Sequence, residues 1–387
     1  MTRDDPVVIS SYARTPIGGF LGRLSGVKAT ELGAAAVRET VRRSGVDPER
    51  IDRIVMGCVL AAGLGQAPAR QAALGAGLPM KIEATTVNKM CGSGLQAAIL
   101  AADMIAAESA EIVVAGGMES MSNAPYLLAK HRSGARIGHD RMSDSMYLDG
   151  LEDAYEPGKL MGAFAEDSAR AYQLTRAAQD EFALESLSRA RAAQASGAFD
   201  REIVAVAGVV RDEQPERADP ARIAALKPAF APDGTITAAN ASSISDGAAA
   251  VLMTRASLAK SFGLPVAARI VAHAAHAQEP SLFTTAPVPA IRKVLAKAGW
   301  TVADVDLFEI NEAFAAVAMI AMRDLAIPHD KLNVNGGACA LGHPIGASGA
   351  RLLATLIAAL EARGKRRGLA ALCIGGGEAV AMAVERD

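Results

Sequence analysis

An α/β fold, built mainly on parallel sheet, is predicted by three features of the chain. Strand-like and helix-like segments alternate, two helical segments are apolar nearly all round, and each of those follows a glycine-rich loop. Pro6 to Tyr12 reads as the first strand, and Ala29 to Arg43 as a helix stopped by Gly45. Ile51 to Gly57 and Ala84 to Lys89 read as strands, the second running straight into Cys91-Gly-Ser-Gly. Leu95 to Glu108 is interrupted only by Gln96 and Asp103, so it is predicted to be a buried helix. Glu111 to Ala115 is predicted to be a strand ending at Gly116-Gly117-Met118-Glu119.

The last third repeats this layout. Asp304 to Ile310 reads as a strand, and a glycine-rich run follows from Asn335 to Gly349. Ala350 to Leu360 is the second apolar helix, and Leu369 to Ile374 a strand ending at Gly375-Gly376-Gly377-Glu378. The repeated order and the repeated Gly-Gly-x-Glu ending predict a duplicated α/β unit. Residues 119–246 differ, with many charges, a polar run from His131 to Ser145, a helix near Ala177 to Ala195 and the segment Pro215 to Pro232. They hold aromatic and apolar residues worth burying, so an inserted loop domain is expected rather than a linker. The division expected is 1–118 with 247–268 as one half, 119–246 as the loop domain, and 269–387 as the other half.

Composition narrows the function classes. At 387 residues, 51% hydrophobic and 21% charged, the chain has the balance of a globular protein with a large core. A formal net charge of −2 provides no basic field for nucleic acid or an anionic membrane. The start, Met1 to Ile9, lacks the basic and apolar regions of a signal peptide, and no apolar stretch approaches a membrane span. Four cysteines in so long a chain are not a disulfide framework; they read as reduced thiols in a cytoplasmic protein.

Three segments carry residues suited to chemistry. Val87-Asn-Lys-Met-Cys91-Gly-Ser-Gly places a cysteine between a strand end and a helix start, where unpaired N–H groups and the helix dipole favour thiolate. An inert buried cysteine, or a nucleotide-binding G-x-G-x-x-A loop, are the competing readings of this motif alone. Cys339-Ala-Leu-Gly-His343-Pro-Ile-Gly sets a histidine in a glycine-rich turn, the usual partner of a nucleophilic cysteine. Half of a zinc site is the alternative there, but no second ligand pair has metal-like spacing. Cys373-Ile-Gly-Gly-Gly puts a second thiol beside backbone amides free to hold an oxyanion. Asn311-Glu-Ala-Phe-Ala follows a strand and sets a polar amide at a sheet end, unless it merely caps a helix.

In this order and combination the chain resembles the thiolase family from end to end. The matching segments are Arg14-Thr-Pro-Ile-Gly, Gly63-Leu-Gly-Gln-Ala-Pro-Ala-Arg-Gln, Val87 to Gly94, Ala115-Gly-Gly-Met-Glu-Ser-Met-Ser and Asn240-Ala-Ser-Ser-Ile-Ser-Asp-Gly-Ala-Ala. Asn311 to Ala315, Asn335 to Arg351 and Cys373 to Gly377 complete the set.

The resemblance implies a five-layer αβαβα fold of two similar halves, with the inserted loop domain binding coenzyme A. It implies that Cys91 becomes acylated while His343 takes its proton, and that Cys373 moves the α-proton. One oxyanion hole would combine His343 with a water held by Asn311, the other the N–H groups of Cys91 and Gly375. Acyl-CoA and coenzyme A are then substrates, no metal or redox cofactor is implied, and the assembly implied is a homotetramer, a dimer of dimers. Ser242 matches a serine on the pantetheine arm, and Arg217 stands near a nucleotide-binding arginine. Met161, Phe230 and Phe314 fall on the substrate side. Leu160 stands where many short-chain biosynthetic relatives carry histidine, and Phe283 where several carry methionine, so both are expected to reshape the acyl pocket. Acetyl transfer on short 3-ketoacyl-CoA is the expected activity. A degradative enzyme of broader chain length and a non-catalytic acyl-CoA carrier are the alternatives, and Cys373 argues against the ketoacyl synthases.

Overall fold

A computed structural model describes residues 5–387; Met1 to Asp4, part of the start read above as lacking a signal peptide, lie outside the described residues. The first half contributes strands β1 (Val7–Arg14), β2 (Arg53–Gly57), β3 (Glu83–Val87), β4 (Val113–Ser120) and β5 (Ser245–Arg255). Its helices are α1 (Ala29–Ser44), α2 (Pro68–Gly75) and α3 (Ser93–Ala106). Between β4 and β5 lie α4 (Met161–Ala171) and α5 (Arg176–Ser196). The second half has β6 (Ala268–Ala277), α6 (Pro287–Ala298), β7 (Leu307–Ile310), α7 (Ala315–Leu325), α8 (Ser348–Ala362), β8 (Arg367–Ile374) and β9 (Glu378–Glu385).

Spatial order makes the duplication explicit. The first half runs β3-β2-β4-β5-β1 and the second β7-β8-β9-β6, joined by a short antiparallel contact of β1 with β6. β2–β4 and β7–β8 both pair parallel, while β4–β5 and β8–β9 both pair antiparallel, as do β5–β1 and β9–β6. Even β3 has a remnant counterpart, because Leu332 bridges Phe308 in parallel as β3 pairs with β2.

The expected mainly parallel sheet is not what forms. Besides β2–β3, β2–β4 and β7–β8, the pairings of the large sheet are antiparallel. β5 and β9 return beside the strand before them through a reversal rather than a helical crossover, which dictates antiparallel pairing. In the second half that reversal is Gly375 to Gly377; in the first, the same position holds the whole segment from Met121 to Ile244. The Gly116-Gly117 pair likewise does not end its strand. β4 continues through both glycines to Ser120, all of it buried.

Three apolar clusters stack the layers. α1 and α2 cover one face of the first sheet, through Leu32, Val37, Ala69 and Ala72 against Ile54, Val114 and Leu252. α6 and α7 cover the outer face of the second sheet through Ile291, Val294, Ile320 and Ala321. α3 and α8 lie between the sheets, with Leu95, Ile99, Leu353 and Ile357 packed against Val113 and Val251 on one side and Ala370 and Leu372 on the other. The order α1/α2, sheet, α3/α8, sheet, α6/α7 is the five-layer arrangement. No helix among the described residues is long and apolar enough to cross a membrane.

Glycine is required where the central helices start. A Cβ on Gly94 would sit 2.8 Å from the Ala350 nitrogen, and one on Gly57 2.7 Å from the Ser93 backbone. A Cβ on Gly349 would lie 3.0 Å from the Leu95 Cα. Alanine favours a helix over glycine by up to ~1 kcal/mol, so intrinsic propensity argues for alanine and packing forbids it. Gly94→Ala is therefore expected to destabilise the fold by about 2–3 kcal/mol, whereas Gly26→Ala, with open space around it, should be near neutral. Urea-unfolding midpoints of the two variants check this; equal midpoints would mean the helices can separate at no cost.

Candidate active site

Cys91 stands one residue ahead of the Gly92 cap of α3, in a turn that the local sequence closes on itself. Asn88 Oδ1 accepts the Met90 N–H at 2.9 Å, and Ser93 Oγ accepts the Lys89 N–H at 2.9 Å while donating to the Met90 carbonyl at 2.6 Å. Met90 is held at φ +46°, a left-handed conformation that a side chain rarely adopts. That strain turns the chain sharply enough to present Cys91 at the end of the sheet.

The half-buried Cys91 packs against the cluster of Leu60, Met146 and Ile345. The N–H groups of Gly375 and of Cys91 itself point at its sulfur and pull its pKa down, but burial outweighs them and pushes the thiol up to about 11. The expectation of a thiolate favoured by the helix end is thus reversed. Amide dipoles are present, yet removing water from the anion costs more than they return. In the resting site Cys91 is a thiol and needs a base.

His343 supplies an unprotonated ring nitrogen. Its Nδ1 faces Ser348 Oγ, whose own proton goes to the Pro344 carbonyl at 2.9 Å. Ser348 must then accept, so Nδ1 carries the proton and Nε2 keeps its lone pair. Asn311 Nδ2 lies 3.4 Å from that Nε2. Burial, helped by Arg351, drives the His343 pKa down to about 3, so the ring is neutral throughout the ordinary pH range. Asn311 Oδ1 is buried without a protein partner, leaving an acceptor for a bound water or ligand.

Cys373, near the end of β8, is buried and feels the charge of Cys91; burial first, and then that neighbour, raise its pKa well above the usual thiol value. It belongs to an apolar cluster with Met161, Phe164, Phe230, Phe283 and Phe314. Phe314 meets Phe230 edge-on at 5.9 Å and Phe283 at 6.4 Å. A Cβ on Gly375 would come within 3.2 Å of Met161 Sδ, so the amide turn and this cluster are adjacent.

The Gly375 N–H points at the Cys91 sulfur, and Cys373 is near enough to feel the Cys91 charge. His343 and Asn311 contact each other, and Ile345, two residues after His343, belongs to the cluster against which Cys91 packs. Met161, Phe230, Phe283 and Phe314 line the Cys373 side. Leu160 is the cap residue of α4, next to Met161, and lines with Phe230 a surface cavity of about 540 Å³. Ser242 spends its hydroxyl on the Ala313 carbonyl at 3.0 Å. Its neighbour Ser243 lines a cavity of about 530 Å³ that extends to Arg217 and Arg222, and the Ser243 carbonyl accepts the His343 N–H at 3.1 Å.

Two positioning groups were not singled out from sequence. Ser348 sets the His343 tautomer. Glu119, fully buried and pushed up to about 7 by that burial, accepts N–H bonds from Val59 (3.0 Å), Leu60 (3.1 Å) and Gly346 (2.8 Å). It ties the loop after β2 to the loop after His343. The signals were present, Ser348 inside the histidine motif and Glu119 beside the paired glycines, but nothing in the sequence showed what either touches.

Residues 7–257 match the family model described as thiolase, N-terminal domain, and residues 264–386 that of thiolase, C-terminal domain. The chain belongs to the thiolase family. It is 49% identical over 390 residues to an acetyl-CoA acetyltransferase of Cupriavidus necator, covering 98% of this chain and 99% of that protein. It is 50% identical over 389 residues to the acetyl-CoA acetyltransferase of Rhizobium meliloti, covering 98% of each. Among solved structures, the Acat5 thiolase from Ascaris suum in complex with coenzyme A superposes with a TM-score of 0.95 at 39% identity, over 99% of this chain and 100% of that one. This thiolase is thus matched along nearly its whole length.

A pH test follows from the raised Cys91 pKa. Because thiolate is the reactive form and remains the minor species up to about pH 11, alkylation at Cys91 by iodoacetamide should rise about tenfold per pH unit between 7 and 10. Peptide mass spectrometry reads the rate. A plateau near pH 8.5 would show that the amides, not burial, control the sulfur.

Proposed function

We propose that this thiolase is an acetyl-CoA C-acetyltransferase, making or cleaving acetoacetyl-CoA and similar short 3-ketoacyl-CoA through acetyl-Cys91. The observation that carries the reading is the meeting of two protonated thiols with a neutral histidine whose Nε2 is unprotonated. Cys91 Sγ attacks the 3-keto carbonyl and passes its proton to His343 Nε2. The carbonyl π bond opens to an oxyanion; as it re-forms, the bond between the α-carbon and that carbonyl breaks. The electron pair leaves as the acetyl-CoA enolate, which takes the proton of Cys373. Coenzyme A then gives its thiol proton to the Cys373 thiolate and attacks acetyl-Cys91; as the acetyl–Sγ bond breaks, the acetyl group leaves on coenzyme A and the proton held on His343 returns to Cys91. In synthesis the order reverses, and Cys373 removes the α-proton of the second acetyl-CoA.

The relatives' printed activity and the neighbour's bound coenzyme A support this substrate class. The buried Phe283, packed edge-on against Phe314, fills space behind Cys373 and favours short acyl groups. The cavity reaching Ser243 is our candidate channel for the pantetheine arm, in the segment expected to bind coenzyme A. Arg217 is already paired with Glu213 at 3.1 Å, so the exposed Arg222 on the same cavity is better placed than Arg217 to meet a phosphate. Neighbouring thiols that must stay reduced favour a cytoplasmic setting.

Cys91→Ala should abolish turnover of acetoacetyl-CoA, and acetyl-CoA should add one acetyl group to the wild type at Cys91. Cys373→Ser should keep that acetylation while losing carbon–carbon bond formation. Intact mass and peptide mapping, run beside kinetics with C4 and C6 substrates, test the set. An adduct elsewhere, full activity without Cys91, or a preference for C6 ends the reading.

The assembly proposed is a homotetramer, through the hairpin formed by Tyr126–Leu127 and Ser143–Asp144. Around it Tyr126, Leu128, Ile137 and Met142 are exposed, Ile137 almost entirely at 96%, which is costly apolar surface for a monomer. Light scattering at micromolar concentration should report four chains; a monomer or a dimer would refute it.

A further inference from the structure

The two N–H groups aimed at Cys91 come from different halves of the molecule. That of Cys91 belongs to the strained turn before α3, and that of Gly375 to the turn between β8 and β9. The second turn has little to fix it from within. Its three glycines carry no side chains, and Gly376 and Gly377 are left-handed at φ +93° and +85°. On its far side the Gly377 carbonyl accepts the Gln278 N–H at 2.9 Å. On the side of Cys91 it is met by Lys89, whose Nζ lies 2.8 Å from each carboxylate oxygen of Glu378.

Both ends of this ion pair are anchored where they matter. Lys89 is two residues before Cys91, its N–H bound to Ser93 Oγ and its carbonyl accepting the Gly92 N–H at 3.0 Å. Glu378 directly follows the three glycines and faces Ile374 across the hairpin. Ile374 in turn packs on Gly92, where no Cβ fits. The side chains of Lys89 and Glu378 are 22% and 35% exposed, so the pair is half-buried and its ammonium serves two acceptors at once.

Resting on the functional reading above, we propose that the Lys89–Glu378 pair is a positioning device that holds the Gly375 amide in register with the Cys91 amide to form one oxyanion site. An ion pair this exposed adds little to global stability. Its leverage is local, because stabilising an oxyanion depends on donors held at hydrogen-bond distance, and a displacement of about 1 Å in such a site can cost up to ~100-fold in rate. Neither residue lines the cavity proposed for coenzyme A, which is why KM is expected to hold in the test below.

The test uses the full-length enzyme as Lys89→Met, Glu378→Gln, the double variant and the charge swap Lys89→Glu/Glu378→Lys. Each single variant should lower kcat about tenfold, with KM for acetyl-CoA within twofold and the thermal midpoint unchanged. The double variant should lose no more than either single one, and the swap should recover part of the loss. Additive losses, kcat within twofold of wild type in both single variants, or a loss matched by a fall in the thermal midpoint would each overturn the proposal. Acetyl labelling separates it from the reading beneath. A wild type that acetylates at Cys91 leaves the pair to be judged on kcat, whereas a wild type that does not removes the functional reading and this proposal together.

Discussion

The N-terminal ends of α3 and α8 touch with no room for a Cβ at Gly94 or Gly349, and the active site hangs on that contact. Cys91 precedes one helix and His343 the other, so the closeness of the helices sets the closeness of the groups. The contact is possible because both helices are sandwiched between two sheets and need no polar face. α8 is buried along Ser348 to Leu360, and the one charge in that stretch, Arg351, is answered by Glu309 at 3.2 Å. Gly57, Gly117 and Gly346 carry the same principle outward, each pressed against the backbone of a neighbouring loop or helix. A fold that crowds backbone against backbone buries its reactive groups, and that burial sets their protonation.

Burial acts on each group in the direction its charge demands. It raises both thiols and lowers the histidine, so every member of the site rests uncharged. An uncharged resting site suits a reaction whose charge appears only in transit, first as a thiolate and oxyanion and then as an enolate. The fixed dipoles of the Cys91 and Gly375 amides meet that charge when it forms, without water having to reorient. The cost falls on Cys91, which does not ionise alone; in the proposed mechanism His343 Nε2 takes its proton.

Much of this was legible in the chain, for identifiable reasons. The boundaries of α1 were readable because Gly45 supplies the left-handed cap at φ +72° that ends it. The Cys91, His343 and Cys373 loops were readable because glycine marks each place where a backbone approaches another. Strand direction was not, since whether β5 and β9 return by crossover or reversal is decided by tertiary pairing. Gly116-Gly117 misled as a strand end because glycine in a strand interior marks a close approach as well as a turn. The protonation of Cys91 was misread because the helix dipole is visible in a sequence and desolvation is not.

The duplication explains why the site lies where the halves meet rather than within either one. The turn between β8 and β9 is three glycines long, while the corresponding position between β4 and β5 carries the segment from Met121 to Ile244. A short turn in the second half leaves the Gly375 amide free to face Cys91. A long insertion in the first supplies Met161, Phe164 and Phe230 to close the cluster on the Cys373 side. The insertion is itself tied down at its root: Asp246 accepts from Ser120 Oγ at 3.2 Å and from the Ser122 N–H at 2.9 Å. Farther out, Arg14 of β1 binds Glu202 at 2.7 Å and Asp212 at 2.6 Å, all buried. Losing one partner of such a network strands a buried charge, which is far more costly than losing an exposed pair. These ties anchor to β1 and β4 the insertion that carries the wall, though it belongs to neither repeat. In the proposed mechanism one half presents the nucleophile, the other the histidine, the second thiol and an amide, and the insertion the wall, so it needs both halves.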